Sequence, residues 1–230
     1  MAIVLHSKEL IFLKPRKVAG TSFEIALSAF AAQDDIITPI SPDDERKREE
    51  LGCTPAQNFQ WTDSDERSAS QPLKYFNHIP AKALQKRLGQ GVWESCSKIS
   101  IIRNPFDFMV SLYYWKVDRD TREKLSFNEF VVKNRAWLTV NNLQYQVDGQ
   151  YVIDTWLKYD SLQNDIIDLE RSMPQLEGLA EMMQNIHAKS GYRDDIDLSD
   201  LYCDAPQAFQ IICNDCCHQL EKFSFDIPSV

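Results

Sequence analysis

Near the N-terminus the hydrophobic pattern changes from a continuous run to helical spacing. Ile11–Leu13 is a short apolar run, which indicates a buried strand. Apolar side chains then recur at helical intervals over residues 22–32, at Phe23, Ala26, Leu27 and Phe30. The bend falls on residues 14–20, and Thr21 with Glu24 three positions later fits a capping box. The pattern predicts a strand, a turn and a helix.

A second strand-to-helix transition occurs at Arg103. Ile99–Ile102 has the pattern of a buried strand, and Asn104-Pro105 is typical of a helix cap followed by proline at the first helical position. One apolar stripe then follows with helical spacing, at Phe106, Met109, Val110, Tyr113, Tyr114 and Val117. Ser111 lies beside this stripe, roughly 10 Å from Asn104 at about 1.5 Å per residue.

The segment between the two transitions completes an alternating pattern. Leu73–Asn77 is predicted as a strand and Pro80–Leu88 as a helix. Alternating strands and helices are typical of an α/β fold with a central parallel sheet flanked by helices. In such sheets ligands bind outside the carboxyl ends of the strands, where both transitions would lie.

The C-terminal part of the chain has two further signals. Asp148-Gly149 is a strong turn signal, and it is flanked by Tyr145–Val147 and Tyr151–Ile153, so we expect a β-hairpin there. From Ser161 onward the pattern is predominantly helical.

Residues 34–72 interrupt the pattern with a polar insertion that contains several prolines. So long an insertion in a compact domain is usually a functional loop or a disordered one. Phe59 and Trp61 favour a lid that packs over the site, and a mobile surface excursion is the alternative. No convincing linker divides the chain, so we expect residues 1–230 to form a single domain.

Size and charge limit the classes of protein. A chain of 230 residues, 43% hydrophobic and 26% charged, fits one globular domain. The net charge of -9 disfavours nucleic acid and other polyanionic partners. No apolar run is long enough to cross a membrane, and residues 1–13 do not resemble a signal peptide. We therefore expect a cytoplasmic protein.

The cysteines favour thiols over a metal site. Cys213, Cys216 and Cys217 with His218 contain a Cys-x-x-Cys spacing that can bind zinc. A second Cys or His pair nearby in sequence is missing, however, and the surrounding apolar residues share one helical face. We therefore expect buried thiols and no metal, and one zinc ion per chain would reverse this interpretation.

Both transitions concentrate groups that bind anions. A helix N-terminus offers N–H groups and partial positive charge, and in the first transition Lys14, Arg16 and Lys17 add full charges while Gly20 allows close backbone approach. In the second, Arg103 and Ser111 could hold another anion. Two anion sites on one ligand suggest a nucleotide that is phosphorylated at both ends.

These segments resemble motifs of the sulfotransferases that use 3′-phosphoadenosine 5′-phosphosulfate (PAPS). Lys17-Val18-Ala19-Gly20-Thr21-Ser22 is similar to their 5′-phosphosulfate loop, and the segment from Arg103 to Asp107 with Ser111-Leu112-Tyr113 is similar to their 3′-phosphate motif. The family commonly has a basic residue where Phe108 stands here. The resemblance covers most of the chain outside residues 34–72 and implies a P-loop-like sulfotransferase fold.

The resemblance also implies roles for individual residues. Lys17 would contact the bridging and leaving oxygens, and Ala19, Gly20, Thr21 and Ser22 would surround the 5′-phosphate. Lys14 and Arg16 would add charge to this site or face solvent. Arg103 and Ser111 would bind the 3′-phosphate, although Arg103 could instead pair with Asp107. PAPS would be the sulfuryl donor and 3′-phosphoadenosine 5′-phosphate (PAP) the product.

A base is also needed, because the acceptor hydroxyl loses its proton as it attacks. His78 follows a predicted strand and precedes a helix, and related carbohydrate sulfotransferases have a histidine in a similar position. The resemblance therefore implies His78 as the catalytic base, and a structural hydrogen-bonding role is the alternative. The resemblance further extends to Asp160 and Asp165, and the aromatic and basic residues near the end of the chain could lie near a ligand, namely Tyr192, Arg193 and Tyr202.

The expected activity is sulfuryl transfer from PAPS to a hydroxyl of a sugar or another small acceptor. A non-catalytic PAPS- or PAP-binding protein on the same fold is the alternative. A P-loop kinase is disfavoured because the sequence lacks Gly-x-x-x-x-Gly-Lys-Ser/Thr. The acceptor, the choice between O- and N-sulfation and the oligomeric state stay open.

Overall fold

The structure is a computed structural model, and it describes residues 2–63, 65, 72–122, 125–186 and 197–230. Its strands are β1 (Ala2–Leu5), β2 (Leu10–Leu13), β3 (Ile36–Ile37), β4 (Ser97–Ile102), β5 (Gln146–Val147), β6 (Gln150–Tyr151) and β7 (Thr155–Lys158). The first helices are α1 (Gly20–Ser28), α2 (Pro42–Glu50), α3 (Ala81–Leu88), α4 (Gln90–Ser95), α5 (Pro105–Lys116), α6 (Arg119–Arg122) and α7 (Phe127–Lys133). The later ones are α8 (Asn142–Tyr145), α9 (Leu162–Ser172), α10 (Leu179–Asn185), α11 (Leu198–Cys203), α12 (Pro206–Asp215) and α13 (Cys217–Phe223).

The chain is an α/β protein that divides into two compact units. The first comprises Met1–Ile102 and Asn142–Ala188, and the second comprises Arg103–Asn141 and Lys189–Val230. The single domain expected from the chain length stays a prediction. Of the helices in the described ranges, none combines the length and the apolar character that a membrane span requires.

A five-stranded mixed sheet, in the order β3-β1-β2-β4-β7, organises the first unit. β2 and β4 are parallel, as predicted, with Phe12 beside Ile99. β7, which the sequence analysis did not predict, is parallel to β4, with Thr155 beside Ile99. The sheet is mixed and not parallel throughout, because β1 is antiparallel to both β2 and β3. Only residues 6–9 connect β1 to β2, and a parallel crossover needs a dozen or more residues.

Beside β2, the side of the sheet to which the chain adds its next strands changes. After β2 the chain passes through α1 to β3 on one side of the sheet, whereas β4 and β7 are added on the other side. The carboxyl ends of β2 and β4 therefore flank a topological switch point, where open α/β sheets bind ligands.

The core of the first unit explains the continuous apolar runs. All four residues of β2 are buried, so neither face of this strand meets solvent. α1 packs its apolar side on the sheet, where the rings of Phe12 and Phe23 meet edge to face with centroids 4.8 Å apart. This packing fixes the position at which the chain leaves β2 and enters α1.

Two other expectations for the first unit change. Leu73–Asn77 is not a strand, since its backbone bends at Lys74 and Tyr75 and the Tyr75 N–H donates to Phe59 O in the preceding loop. The insertion contains regular structure in its described part, because β3 pairs with β1 and α2 begins after a Ser41 cap. The expected hairpin is confirmed as β5–β6, with positive φ at Asp148 and Gly149.

The second unit is helical in its described part. Asn104 caps α5 as predicted, and its side chain accepts the Phe106 N–H. Tyr202 is wholly buried, its hydroxyl donates to Phe106 O at 2.9 Å, and its ring meets that of Phe127 edge to face. The predicted cysteine-bearing helix is interrupted at Cys216, between α12 and α13.

Candidate functional site

Two residues with left-handed backbone bend the turn between β2 and α1. Lys17 has a φ of 60° and Ala19 a φ of 59°, a region that residues other than glycine rarely occupy. Such a conformation costs roughly 1–2 kcal/mol per residue, so the surrounding packing must hold it. Val18 supplies part of that packing, because it is buried in the core of the first unit. The bend is therefore built into the fold.

The turn ends at the N-terminus of α1. Ala19 is the N-cap, so residues 20–22 form the first turn of the helix and their N–H groups have no acceptors within it. The predicted capping box is wrong, because no side chain caps this helix. Thr21 Oγ1 accepts instead from Lys14 Nζ at 2.9 Å.

A buried network of charges connects the turn to α1 and α2. Lys14 Nζ lies 3.1 Å from Glu24 Oε2, and Arg48 Nη2 lies 2.7 Å from Glu24 Oε1. Arg48 and Glu24 are 0% exposed and Lys14 is 4% exposed, so these charges are removed from water. Arg48 also pairs with Glu45, and Glu45 Oε1 accepts a hydrogen bond from the Ile40 N–H.

This network balances its own charges. Burial raises the pKa of the Glu24 carboxyl, while the charges of Lys14 and Arg48 oppose the shift. Two carboxylates face two cations, so the positive charge of Lys14 is compensated within the protein. Arg16 and Lys17, the other two cations of the turn, are half-buried. Whether Lys14 also contacts an anion stays a prediction.

Gly20 is required by the path of the Lys14 side chain. A Cβ atom added at Gly20 would lie 2.8 Å from Lys14 Cγ, which is closer than real Cβ atoms approach. The sequence interpretation gave Gly20 the task of admitting a ligand to the backbone. The structure shows that its missing side chain makes room for Lys14 on the way to Glu24.

We expect Gly20→Ala to lower the free energy of unfolding by about 1–3 kcal/mol, because overpacking beside a pinned side chain forces strain. In a Lys14→Ala background the clash disappears, and the same change should be neutral or slightly stabilising since alanine favours helices. Urea unfolding of the four proteins in this double-mutant cycle measures both values. An equal cost in both backgrounds would contradict the assignment.

His78 lies against this turn. Its Nδ1 is 3.1 Å from Lys14 O, and because a carbonyl oxygen only accepts, Nδ1 carries the proton and Nε2 has the free lone pair. Burial, followed by positive charges that include Lys14 and Arg16, lowers the pKa of His78 to about 2. The structure thus brings together His78 and Lys14, which the sequence separates by 64 positions.

Arg103 and Ser111 belong to the second unit. Arg103 directly follows β4, is 7% exposed and forms the anticipated ion pair with Asp107. Ser111 is half-buried on α5, and Phe108, at the position where the family commonly has a basic residue, is buried. A role for Arg103 and Ser111 in binding a 3′-phosphate stays a prediction.

The secondary candidates have structural tasks or lie outside the described part. Asp165 accepts hydrogen bonds from Lys158 N at 2.6 Å and from Ser161 Oγ at 2.9 Å, which closes the turn after β7. The burial of Tyr202 leaves its ring no surface for a ligand. Tyr192 and Arg193 lie outside the described residues.

Trp61, one of the two aromatic residues that favoured a lid, lies in the described part of the insertion. Trp61 packs on the guanidinium of Arg87, whose carbon lies 5.2 Å from the ring centroid, and Arg87 also packs on Phe76. Arg87 is in the last turn of α3, about 10 Å along the helix from Pro80. Trp61 thus contacts the end of α3 opposite to His78, and a lid formed by the insertion stays a prediction.

Two residues that support the site were missed by the sequence interpretation. Arg48 lies in the insertion, and the Ser41-Pro42 cap followed by acidic residues could have revealed α2 but not the burial of Arg48. Gln144 donates to His78 O at 3.0 Å, and no local pattern marks it.

The described residues contain no group of three or more His, Cys, Asp or Glu side chains that could hold a metal ion. Cys216 is buried, Cys213 is half-buried and Cys217 is exposed. Burial raises the pKa of Cys216 to about 12, with the nearby Asp215 adding to the shift.

The chain matches no protein-family model, no curated protein and no solved structure.

Proposed function

We propose that this protein transfers a sulfuryl group from PAPS to a hydroxyl of a sugar or another small hydroxylated acceptor. One observation carries the proposal: a turn with left-handed backbone at Lys17 and Ala19 leads from the carboxyl end of a parallel strand into a helix N-terminus, beside a topological switch point. Left-handed turns and helix N-termini both direct N–H groups toward anions. Phosphate is the ligand that such a turn suits best.

Lys17 is assigned to the leaving phosphate. In sulfuryl transfer, as in phosphoryl transfer, negative charge grows on the leaving group and a preorganised cation stabilises it. The left-handed backbone at Lys17 fixes the direction in which its side chain leaves the turn. Gly20, Thr21 and Ser22 would bind the 5′-phosphate through the N–H groups at the start of α1.

Arg103 is assigned to the 3′-phosphate, together with Ser111. A guanidinium is planar and matches phosphate oxygens in a bidentate fashion. The ion pair with Asp107 fixes one edge of this guanidinium, since Arg103 Nε donates to Asp107 Oδ2. An Arg held in this way is oriented before the ligand arrives.

His78 is assigned as the general base. Its Nε2 is the proton-accepting nitrogen, because Nδ1–H donates to Lys14 O. The positive charges that lower its pKa include Arg16, in the turn that we assign to the phosphosulfate. An anionic donor bound there would offset part of that charge and raise the basicity of His78 as the reactants assemble.

One observation favours the alternative, a non-catalytic protein that binds PAPS or PAP. A histidine with a pKa of about 2 is a weak base at neutral pH. If the donor fails to raise this pKa, the protein would bind the nucleotide without transferring the sulfuryl group.

Calorimetric titration with PAP, beside AMP and ATP, tests the nucleotide site. We expect PAP to bind about 10- to 100-fold more tightly than AMP, because hydrogen bonds between charged groups are worth about 1.5–3 kcal/mol and AMP lacks the 3′-phosphate. Arg103→Ala should abolish this preference. Arg135→Ala is the matched control, since Arg135 also pairs with an aspartate, Asp215, in the second unit.

The outcomes separate the possibilities. Equal affinity for PAP and AMP, or no binding, would overturn the assignment of both phosphate sites. If PAP binds selectively, a screen of hydroxylated acceptors with PAPS distinguishes the enzyme from the binding protein.

A further inference from the structure

His78 has a backbone conformation that needs support. Its φ is 56°, in the left-handed region, and a β-carbon-bearing residue there costs roughly 1–2 kcal/mol. Such strain persists only where neighbouring groups fix the residue. The side chain has one such contact, from Nδ1 to Lys14 O. The His78 peptide group needs a second contact, because otherwise the backbone could relax from the left-handed region and the ring would turn away.

Gln144 provides the second contact. Its Nε2 donates to His78 O at 3.0 Å, across 66 positions of sequence. Gln144 is 2% exposed and His78 is half-buried, so this hydrogen bond is partly shielded from water. The orientation of the amide follows from chemistry, because the opposite one would place Oε1 against the carbonyl oxygen of His78. The amide therefore acts as a fixed donor.

Gln144 is held in place through contacts of its neighbour Tyr145. It lies in α8, and the hydroxyl of the next residue, Tyr145, donates to Ile101 O of β4 at 2.9 Å. The Tyr145 ring also meets Trp156 of β7 edge to face, with centroids 5.0 Å apart. Burial raises the pKa of Tyr145 far above its ordinary value, so the hydroxyl keeps its proton and remains a donor. These contacts connect Gln144 to the central sheet.

We infer that Gln144 is a positioning residue for the proposed sulfuryl transfer. Gln144 holds the His78 peptide, so that the imidazole keeps its Nδ1–H on Lys14 O and its Nε2 available for the acceptor. The part of this inference that concerns catalysis rests on the proposed function. The structural part concerns the free protein, so it can be tested whether or not an acceptor is known.

The test uses ¹⁵N-histidine NMR of the full chain, with His78→Gln to assign the His78 signals. In the wild-type protein we expect His78 to be the Nδ1–H tautomer, and we expect its ring to stay neutral as the pH is lowered to ~5. In Gln144→Met, which keeps the volume but loses the donor, the ring should relax toward solvent. His78 should then titrate closer to ~6.5 and populate both tautomers.

Gln163→Met is the matched control. Gln163 Nε2 also donates to a backbone carbonyl, that of Ala180 at 3.1 Å, within the same unit. This variant should leave the His78 signals unchanged. Gln144→Asn keeps the amide but is one methylene shorter, and it should give an intermediate titration. Asn therefore tests the same contact if the Met variant does not fold.

Kinetics add a second measurement once an acceptor is known. Gln144→Met should lower kcat about tenfold or more, a part of the ~10²–10⁴ that general bases contribute, with KM for PAPS unchanged. His78 signals identical in wild type, Gln144→Met and Gln144→Asn would overturn the inference. Absence of transfer by the wild type, with the expected NMR changes, would overturn the proposed function and leave the role of Gln144 in placing His78 intact.

Discussion

Lys17→Ala is expected to reduce turnover of sulfuryl transfer by ~10² or more, because it removes a preorganised charge from the leaving phosphate. The loss should appear mainly in kcat, since the interaction strengthens as charge develops. Steady-state kinetics with PAPS and an acceptor that the wild-type protein sulfates measure this loss of turnover. The binding of PAP should weaken less than the turnover.

Backbone strain must be separated from charge in this experiment. Lys17→Gly also lacks the ammonium, but glycine accepts a φ of 60° without penalty. Both variants should lose activity to a similar extent if the charge matters. Lys86→Ala, which removes an exposed lysine from α3, should retain turnover. Near-normal activity of Lys17→Gly would contradict the role of Lys17.

Glu24→Gln is expected to lower the free energy of unfolding by about 3–5 kcal/mol, because it leaves two buried cations, Lys14 and Arg48, without their shared carboxylate. The measurement is urea unfolding at neutral pH, followed by circular dichroism. Asp43→Asn is the control, since the Asp43–Arg46 pair is exposed on α2 and such pairs contribute little.

A further variant distinguishes charge from packing. Replacing Lys14 and Arg48 by Met and Glu24 by Leu removes all three buried charges while keeping similar volumes. Buried ion networks can often be replaced in this way without loss of stability. The triple variant should therefore be more stable than Glu24→Gln. If it is equally unstable, the single substitution acts through packing and the electrostatic explanation is wrong.

The sequence predicted those helices, strands and turns whose formation depends on residues close together in the chain. β2, α1, α3, β4, α5 and the hairpin all follow from local periodicity, caps or turn residues. The antiparallel β1 was missed because residues 2–5 were not recognised as a strand, although the short connection to β2 requires a hairpin. Leu73–Asn77 has a strand-like composition, but no neighbouring strand accepts it.

The candidate site depends on contacts that local patterns do not contain. The spacing of Thr21 and Glu24 suggested a cap, yet Glu24 finds its partner Arg48 on a helix 24 positions away. His78 was selected by its resemblance to a family position, and the expectation that it follows a strand was wrong. Gln144 has no local feature that sets it apart. Long-range hydrogen bonds of buried polar groups had to be observed.

The neutral network of Lys14, Glu24, Arg48 and Glu45 also affects how the chain can change during evolution. Loss of any one of its three most buried members strands an opposite charge in the core, so single substitutions pass through a less stable form. Positions 14, 24 and 48 should therefore be inherited together or replaced together. A polar insertion that contributes Arg48 cannot drift independently of the turn beside it.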